Sequence, residues 1–559
     1  MADPGRNGIN SGIAPSRRAV IGSAGAALTS LAGQGGTQGF GAQGGGLAPV
    51  PGGLPLDARA HGVVGDGRTD DTRAVQAFLD LCAASGGRIA HFGAMVVRIT
   101  GPLRSQGVGI VFEPASYGGA AAPGFVASGA GYTALTVTGS VADLCVTLTG
   151  EGTADIRDDG RMTGDRRPRI NGISFGSDED NGVFSLSTVR WVRVNNLAGF
   201  GIRHIQCWDC AFLSISVERC GREGVYAFEV ATRGPSTCNE TSWVRLQVEQ
   251  SVSGAIRIDP ATLSCSFVKI HSERAIASGM APTWLLGGAC IFDSVRLTAA
   301  NPGQASAAVV SNQADIRNLR VEGSIPVSVD ASGGVVNFHN PSAELHPSAN
   351  QSGIVNVVGG TVSVLVGAGW NLFGCAVSRL EAGFMPPDLS ATVSNCSVGQ
   401  IAPQAGSDQG ELVLTATRVA GARVAGTGRL RALHLFAESQ LTPEGGTLSC
   451  VDQTITVDAS SRIVGSVVLQ RATLRLAGTV TGALAIRGPV HDARASDGAV
   501  VGGPVTGWGP PSVPGTPGAW SANLALSSPA GQATPSVRVV TGWRYAAGAW
   551  RAMKIGVEP

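Results

Sequence analysis

Charge and aromatic rings are both scarce in this chain. Only 14% of its 559 residues are Asp, Glu, Lys or Arg, only 5% are Phe, Trp or Tyr, and the formal net charge is +1. A nucleic-acid-binding surface concentrates positive charge, and a base-stacking platform needs rows of rings. Neither is present, so nucleic acid is excluded as a partner. Long apolar runs are missing too. The run at residues 19–32 is short and diluted with alanine and glycine, which argues against stable membrane insertion. No P-loop, dinucleotide fingerprint, His-Glu-x-x-His or Gly-x-Ser-x-Gly occurs, so no cofactor is implied. Glycine, by contrast, is abundant, with 80 residues. It has no three-residue period, which excludes collagen. Such a composition suits many short strands joined by tight turns.

The chain starts with a segment containing "SRRAVIGSAGAALTSLAGQGG". Arg17 and Arg18 ahead of a weakly apolar run read as a twin-arginine export signal over residues 1–34. A Gly-, Pro- and Gln-rich leader follows over 35–55. The expected location is periplasmic or extracellular.

A repeat organises the middle of the chain. "WVRVNNL" at Trp191, "FLSISVE" at Phe212, "WVRLQVE" at Trp243, "FVKIHSE" at Phe267, "FDSVRLT" at Phe292 and "IRNLRVE" at Ile316 begin 21, 31, 24, 25 and 24 residues apart. One alternating strand per repeat fits one coil of a β-solenoid. With the first residue as position zero, positions three and five are mostly apolar and should face inward. Positions two and four are polar and should face water. Coils stacked about 4.8 Å apart turn each position into a ladder.

The cysteines follow the same register. Cys210, Cys265 and Cys290 lie two places before the aromatic; Cys207 and Cys238 lie five before it. Alone, Cys207-x-x-Cys210 reads as a redox pair or half a zinc site. In register, the cysteines read as small buried residues in internal stacks, with a disulfide among them as the alternative. Eleven cysteines leave at least one unpaired within a monomer.

A solenoid needs its open end covered, and "GVVGDGRTDDTRAVQAFLDLCAASGG" at residues 62–87 supplies a cap. Thr69 or Asp70 can start a helix from about Asp71 to Ala84. Its Ala74, Val75, Phe78, Leu79 and Cys82 share one face, and Gly86 and Gly87 end it. This stretch, with the "RIAHFGAMVVRIT" that follows, resembles the opening segment of the pectate-lyase-like superfamily, in its rhamnogalacturonase, epimerase and phage tailspike branch. The resemblance rests on Gly65, Asp66, Gly67, Thr69, Asp70, Asp71, Thr72, Gln76, Gly86 and Gly87. It implies an all-β fold, a single-stranded right-handed parallel β-helix with an N-terminal capping helix, and it implies that these aspartates are structural. The rung pattern carries the β-helix over residues 56–400. Residues 401–500 read as its continuation or as a second β-rich domain, and 501–559 as a C-terminal β segment. There Trp520, Trp543 and Trp550 either pack or bind sugar. The Gly-His-Gly and Arg-Ile-Lys of polygalacturonase-type relatives are absent, and so is a match to the aspartate cluster of calcium-dependent pectate lyases.

A flat, rigid ladder suits an extended polysaccharide. Position six carries Glu218, Glu249 and Glu273, then Thr298 and Glu322. Carboxylates stacked that closely resist joint ionisation. One that keeps its proton can act as general acid on a glycosidic bond. Candidate catalytic residues are therefore Glu249, Glu218 and Glu273, followed by Asp209 and Glu223, and then Glu229 and Asp259, in or near connecting loops. Arg245, Lys269, His271 and Arg296 lie beside the ladder as candidates for binding an acidic sugar. No metal site is assigned. The expected function is a secreted polysaccharide-cleaving hydrolase or lyase; the alternative is a tailspike-like or surface protein that binds glycan without cleaving it. The expected assembly is a monomer or a homotrimer.

Overall fold

The computed structural model describes residues 55–506, excluding 115–121, 157–161, 179–181, 223, 232–237, 276–281, 300–307, 312, 324, 333, 349–352, 367–368, 383–389, 404–410, 423–430, 488–491, 496–498 and 504. It also describes the backbone of 520–525, 539–546 and 549–556. The export segment, the leader up to residue 54, Glu223 and the side chains of Trp520, Trp543 and Trp550 lie outside the described residues.

The chain winds as a right-handed parallel β-helix with one helix at its start. One long helix face defines the geometry used below. It consists of β1 (Leu144–Gly150), β2 (Thr188–Asn195), β3 (Ile215–Glu218), β4 (Leu246–Glu249), β5 (Ile270–Ala275), β6 (Arg296–Ala299) and β7 (Arg320–Glu322), each paired in parallel with the next. From β3 to β7 three strands make one turn, so a strand pairs with the third one along the chain. Ser342–Pro347 then pairs with both β7 and Pro326–Asp330, which merges two faces into one. Parallel stacking continues through Val505–Thr506. Beyond it, Trp520–Ala525, Val539–Ala546 and Ala549–Gly556 form an antiparallel sheet.

Alternation builds the core. Ile215, Leu246 and Ile270 form one buried column, and Val217, Val248, Ser272 and Leu297 form the next. Ser272 stands where the pattern calls for an apolar residue. Its hydroxyl accepts from the buried Trp284 indole N–H at 2.8 Å. A small polar side chain there makes room for the indole and satisfies its donor. Phe212, Trp243, Phe267 and Phe292 stack within 10° of parallel, with centroids 5.5, 4.3 and 5.1 Å apart.

The first repeat is misaligned in the sequence reading. Phe212 pairs with Val189, not Trp191, and Ile215 pairs with Val192. Trp191 is therefore not the start of an inward ladder. An extra residue between Val189 and Trp191, relative to β1, bulges the strand at Arg190. Arg190 is held there by Asp143 at 2.7 and 2.6 Å. Position two also departs from expectation. Lys269, Ser294 and Asn318 have φ of 55°, 57° and 53°, so they form a left-handed corner rather than part of the flat face.

Every described cysteine is buried with a free thiol. Cys210 falls in one internal column with Ser187, Thr241, Cys265 and Cys290. Burial pushes the thiols of Cys210 and Cys220 up to about 12, which keeps them protonated and inert.

The capping helix α1 (Thr72–Ala84) begins one residue later than expected, with Asp71 as its N-cap. The Asp71 carboxylate turns back to accept from the N–H groups of Val64 and Gly65 at 3.0 and 2.8 Å. Asp70 accepts instead from the Thr72 N–H at 3.1 Å. Hydrogen bonds from Thr100 and Thr72 hold the Asp70 carboxyl below its usual range. These aspartates brace the loop, as the resemblance implied. Val75, Phe78, Leu79 and Cys82 are buried against the first coil, where Phe78 meets Phe92 edge-on at 5.7 Å. Gly87, at φ 78°, follows the helix; a Cβ there would lie 2.8 Å from the Gly107 carbonyl oxygen.

Two stability experiments follow from this packing. Phe78→Ala should cost about 3–5 kcal/mol, read as a lower denaturation midpoint; an unchanged midpoint would show that α1 is not a tight cap. His204 is fully buried among Phe175, Phe212, Phe228 and Trp243. Its Nε2 accepts from the Trp243 indole at 3.3 Å. Burial holds its pKa down to about 3. The unfolded chain protonates this ring near pH 6.5 and the folded chain only near pH 3, so acid favours unfolding between those values. Relative to His204→Phe, the wild type should lose about 1.4 kcal/mol per pH unit below 6.5. Paired urea titrations from pH 7.5 to 4 measure this; a pH-independent difference would contradict a buried neutral ring.

Candidate functional site

The outward side of β1–β7 carries two polar columns. One runs Thr147, Arg193, Ser216, Gln247, His271, Arg296 and Arg320. The other runs Thr149, Asn195, Glu218, Glu249 and Glu273, and its later coils carry Thr298 paired with Glu322. Glu249 does have a glutamate directly opposite on each side. The long excursion before Trp243 does not break the register.

Corners beside the columns hold this register. Asn196, Arg219 and Gln250 follow the second column with φ of 56°, 52° and 50°. A left-handed conformation costs a non-glycine residue roughly 1–2 kcal/mol. Each corner offsets that cost by donating its N–H to the next coil, to Glu218, Glu249 and Glu273 carbonyls at 3.1, 3.0 and 2.9 Å. Arg219 Nε also donates to Gln250 Oε1 at 2.7 Å.

The glutamates are engaged differently. Glu218 lies 3.4 Å from Arg193 Nη2 and 3.6 Å from Arg219 Nε. Glu249 accepts from the Gln247 amide, and Gln247 Oε1 accepts from Arg245 Nη2 at 3.4 Å. His271 Nε2 and Glu273 Oε2 are 3.0 Å apart. Glu322 takes a two-pronged pair from Arg296 at 3.1 and 2.9 Å, and Arg320 Nε at 3.0 Å. Arg296 is thus committed to Glu322.

The remaining candidates lie elsewhere. Lys269 sits at the corner described above. Asp209 is exposed at another left-handed corner, with φ 52°, in line with Leu186, Glu240 and Ser264. Glu229 is not in a loop: it lies within the strand Tyr226–Val230, nearly buried. Arg203 and Arg257 clasp it from neighbouring coils at 2.7 and 2.8 Å, and Arg257 also reaches Asp259 at 3.3 Å. That cluster is a structural ion-pair network on a different face.

A cleft of about 610 Å³ opens over the start of the polar columns. Trp191, Arg193, Asn195, Ser216 and Glu218 line it from β2 and β3, with Arg219 and Arg245 beside them. Glu151, Gly152 and Thr153 line it from the turn after β1. Gly152, at φ 100°, lets that turn approach the Arg166 carbonyl; a Cβ would lie 2.4 Å from it. The register set by Val189 leaves the half-buried Trp191 ring in the same cleft as three guanidiniums. Trp191, Arg193 and Arg219 were not picked as site residues from the sequence. The clue was the short 21-residue first spacing: counting from Val189 gives 23, close to the later spacings of 24 and 25, and leaves Trp191 outward.

One buried side chain supports the cleft from behind. Arg167 donates from Nη1 to the carbonyls of Leu197, Arg219 and Gly221 at 3.2, 2.9 and 3.0 Å. Asp165 faces it at 2.8 and 3.0 Å, and this contact is the main reason the Asp165 carboxyl lies below its usual range.

These features define a right-handed parallel β-helix protein with an aromatic and basic cleft on one flat face. That is the fold implied by the resemblance to the pectate-lyase-like superfamily. No family model matches the chain, and no curated protein matches it by sequence. Among solved structures, it is similar to PfbA, a surface adhesin of Streptococcus pneumoniae, at 12% identity over 66% of this chain and 89% of that one, with a TM-score of 0.33. ORF18 of Geobacillus virus E2 gives 11% identity, 90% and 77% coverage, and 0.28. The A-module of the Azotobacter vinelandii mannuronan C-5 epimerase AlgE4 gives 14%, 82% and 99%, and 0.22. No helix among the described residues is long and apolar enough to cross a membrane.

Replacing Arg167 by methionine should leave three carbonyls and the Asp165 charge without their partner. The expected loss is about 3–5 kcal/mol, measured by chemical denaturation. An unchanged midpoint would show that Arg167 does not tie these coils together.

Proposed function

We propose that the chain is a glycan-binding β-helix protein that holds an extended acidic polysaccharide across the cleft at Trp191. The observation that carries this reading is the register of β2 with β3, which pairs Val189 with Phe212 and leaves Trp191 outward in one cleft with Arg193, Arg219 and Arg245. A flat indole face packs against the apolar side of a sugar ring, while its N–H stays available for hydrogen bonding. Guanidinium forks match carboxylate or sulfate groups; Arg245, whose hydrogen bond goes to the neutral Gln247, offers one directly, whereas Arg193 and Arg219 share Glu218. The groups sit on or beside stacked strands, so little conformational freedom is lost on binding. The engagement of the glutamates supports holding over cleaving: Glu218 and Glu322 each pair with two arginines. Export through the Arg17–Arg18 signal would bring the cleft to glycans outside the cytoplasm.

The test uses immobilised polyuronates, sulfated glycans and neutral polysaccharides. Wild-type protein should be retained by acidic chains, more weakly at high salt. Trp191→Ala and Arg245→Ala should each weaken retention at least about tenfold (roughly 1.4 kcal/mol), with unchanged circular dichroism. No new reducing ends and no near-ultraviolet-absorbing products should appear. Product release would replace this reading with a cleaving enzyme and direct substitution to Glu249, Glu218 and Glu273. Undiminished retention by both variants would move the site away from the cleft.

A further inference from the structure

We infer that Glu249, His271 and Glu273 form a binding site for a divalent transition-metal ion of the zinc class. This inference is independent of the glycan-binding reading. The three side chains come together through the strand register. His271 and Glu273 are two apart on β5, so both project from the outward side, and Glu273 pairs directly with Glu249 on β4. One ligand atom from each lies within 4.8 Å of the other two, and all three side chains are half-buried.

The donor geometry suits a small cation. Ligand atoms about 2.0–2.2 Å from a zinc ion stand roughly 3–3.5 Å from one another. His271 Nε2 and Glu273 Oε2, at 3.0 Å, already have that spacing. Glu249 needs only side-chain rotation to bring its oxygen in, because its strand is fixed by the ladder. Two carboxylates and a neutral imidazole carry the charge that balances a divalent ion. The imidazole nitrogen distinguishes the site chemically. Calcium and magnesium take oxygen ligands, whereas imidazole with carboxylate suits zinc and its first-row neighbours. On binding, any proton on Nε2 passes to solvent and the nitrogen lone pair goes to the metal.

The surroundings support the ligands. Gln247 donates its amide to Glu249 and accepts from Arg245 at 3.4 Å. Outer hydrogen bonds of this kind orient metal-binding carboxylates. Arg296 pairs in register with His271 on the next coil. Its two contacts to Glu322, at 3.1 and 2.9 Å, draw it toward the following coil. Three protein ligands on an open face leave coordination positions for water or for a ligand on that face.

The test is calorimetric titration of chelator-treated full-length protein with zinc chloride. Wild type should show a saturable site whose affinity falls at least tenfold in Glu249→Gln, His271→Gln and Glu273→Gln. The triple substitution should abolish it. His346→Ala is the control. His346 also faces a glutamate, Glu344, at 2.8 Å, but it belongs to no three-ligand cluster among the described residues; zinc binding should survive there. Circular dichroism establishes folding, and if the triple variant unfolds, the three single variants decide. Absence of saturable zinc binding, or its retention in the triple variant, would overturn the site. Displacement of zinc by equimolar calcium would overturn the transition-metal assignment.

Discussion

The structure depends on register between successive coils. Parallel strands about 4.8 Å apart turn any repeated position into a continuous column, and a slip of one residue would send every inward side chain outward. Two contacts protect that register along β1–β7. Inside, branched aliphatic columns and the aromatic stack make a slip costly in buried surface. At the edge, Asn196, Arg219 and Gln250 accept a left-handed conformation and donate to the next coil. The corner fixes where each strand ends, and so which residue is last on the flat face. That residue is Asn195, Glu218 and Glu249 in successive coils.

Chemistry arises here where the repetition is broken. Trp191 puts a ring beside the guanidiniums in the column where the next two coils carry Ser214 and Arg245. His271 replaces the amide and hydroxyl that precede it in its column, next to two glutamates. Ser272 interrupts the apolar column, and its hydroxyl serves the Trp284 indole. A regular solenoid supplies rigid spacing; departures from the repeat place different functional groups at that spacing.

Buried polar groups divide by how they are satisfied. Arg167 donates to three carbonyls and faces Asp165, so its burial joins separate coils. Glu229 is clasped by Arg203 and Arg257. His204 sits in an aromatic cage and is held neutral by burial. The first two fix relative positions through paired charge. The third makes the fold sensitive to acid, because only the unfolded chain can accommodate the imidazolium near neutral pH.

The sequence by itself determined a β-solenoid, the capping helix and the glutamate column, because these follow from local periodicity; the right-handed β-helix was what the family resemblance implied. Val75, Phe78, Leu79 and Cys82 recur at helical spacing, and the rung motifs alternate with a period of two. Once Phe212, Trp243 and Phe267 were aligned, Glu218, Glu249 and Glu273 followed by counting. Counting failed where local geometry departs from the ideal. Trp191 lies two places past Val189, the residue that pairs with Phe212, and the left-handed corner removes Lys269 from the flat face. Glu229 shows the same limit: its sequence neighbours resemble a loop, but its strand is made by pairing with residues in the coils on either side. Only tertiary structure decides bulges, corners and ion-pair partners, because each depends on contacts between residues some 20 to 50 positions apart in the chain.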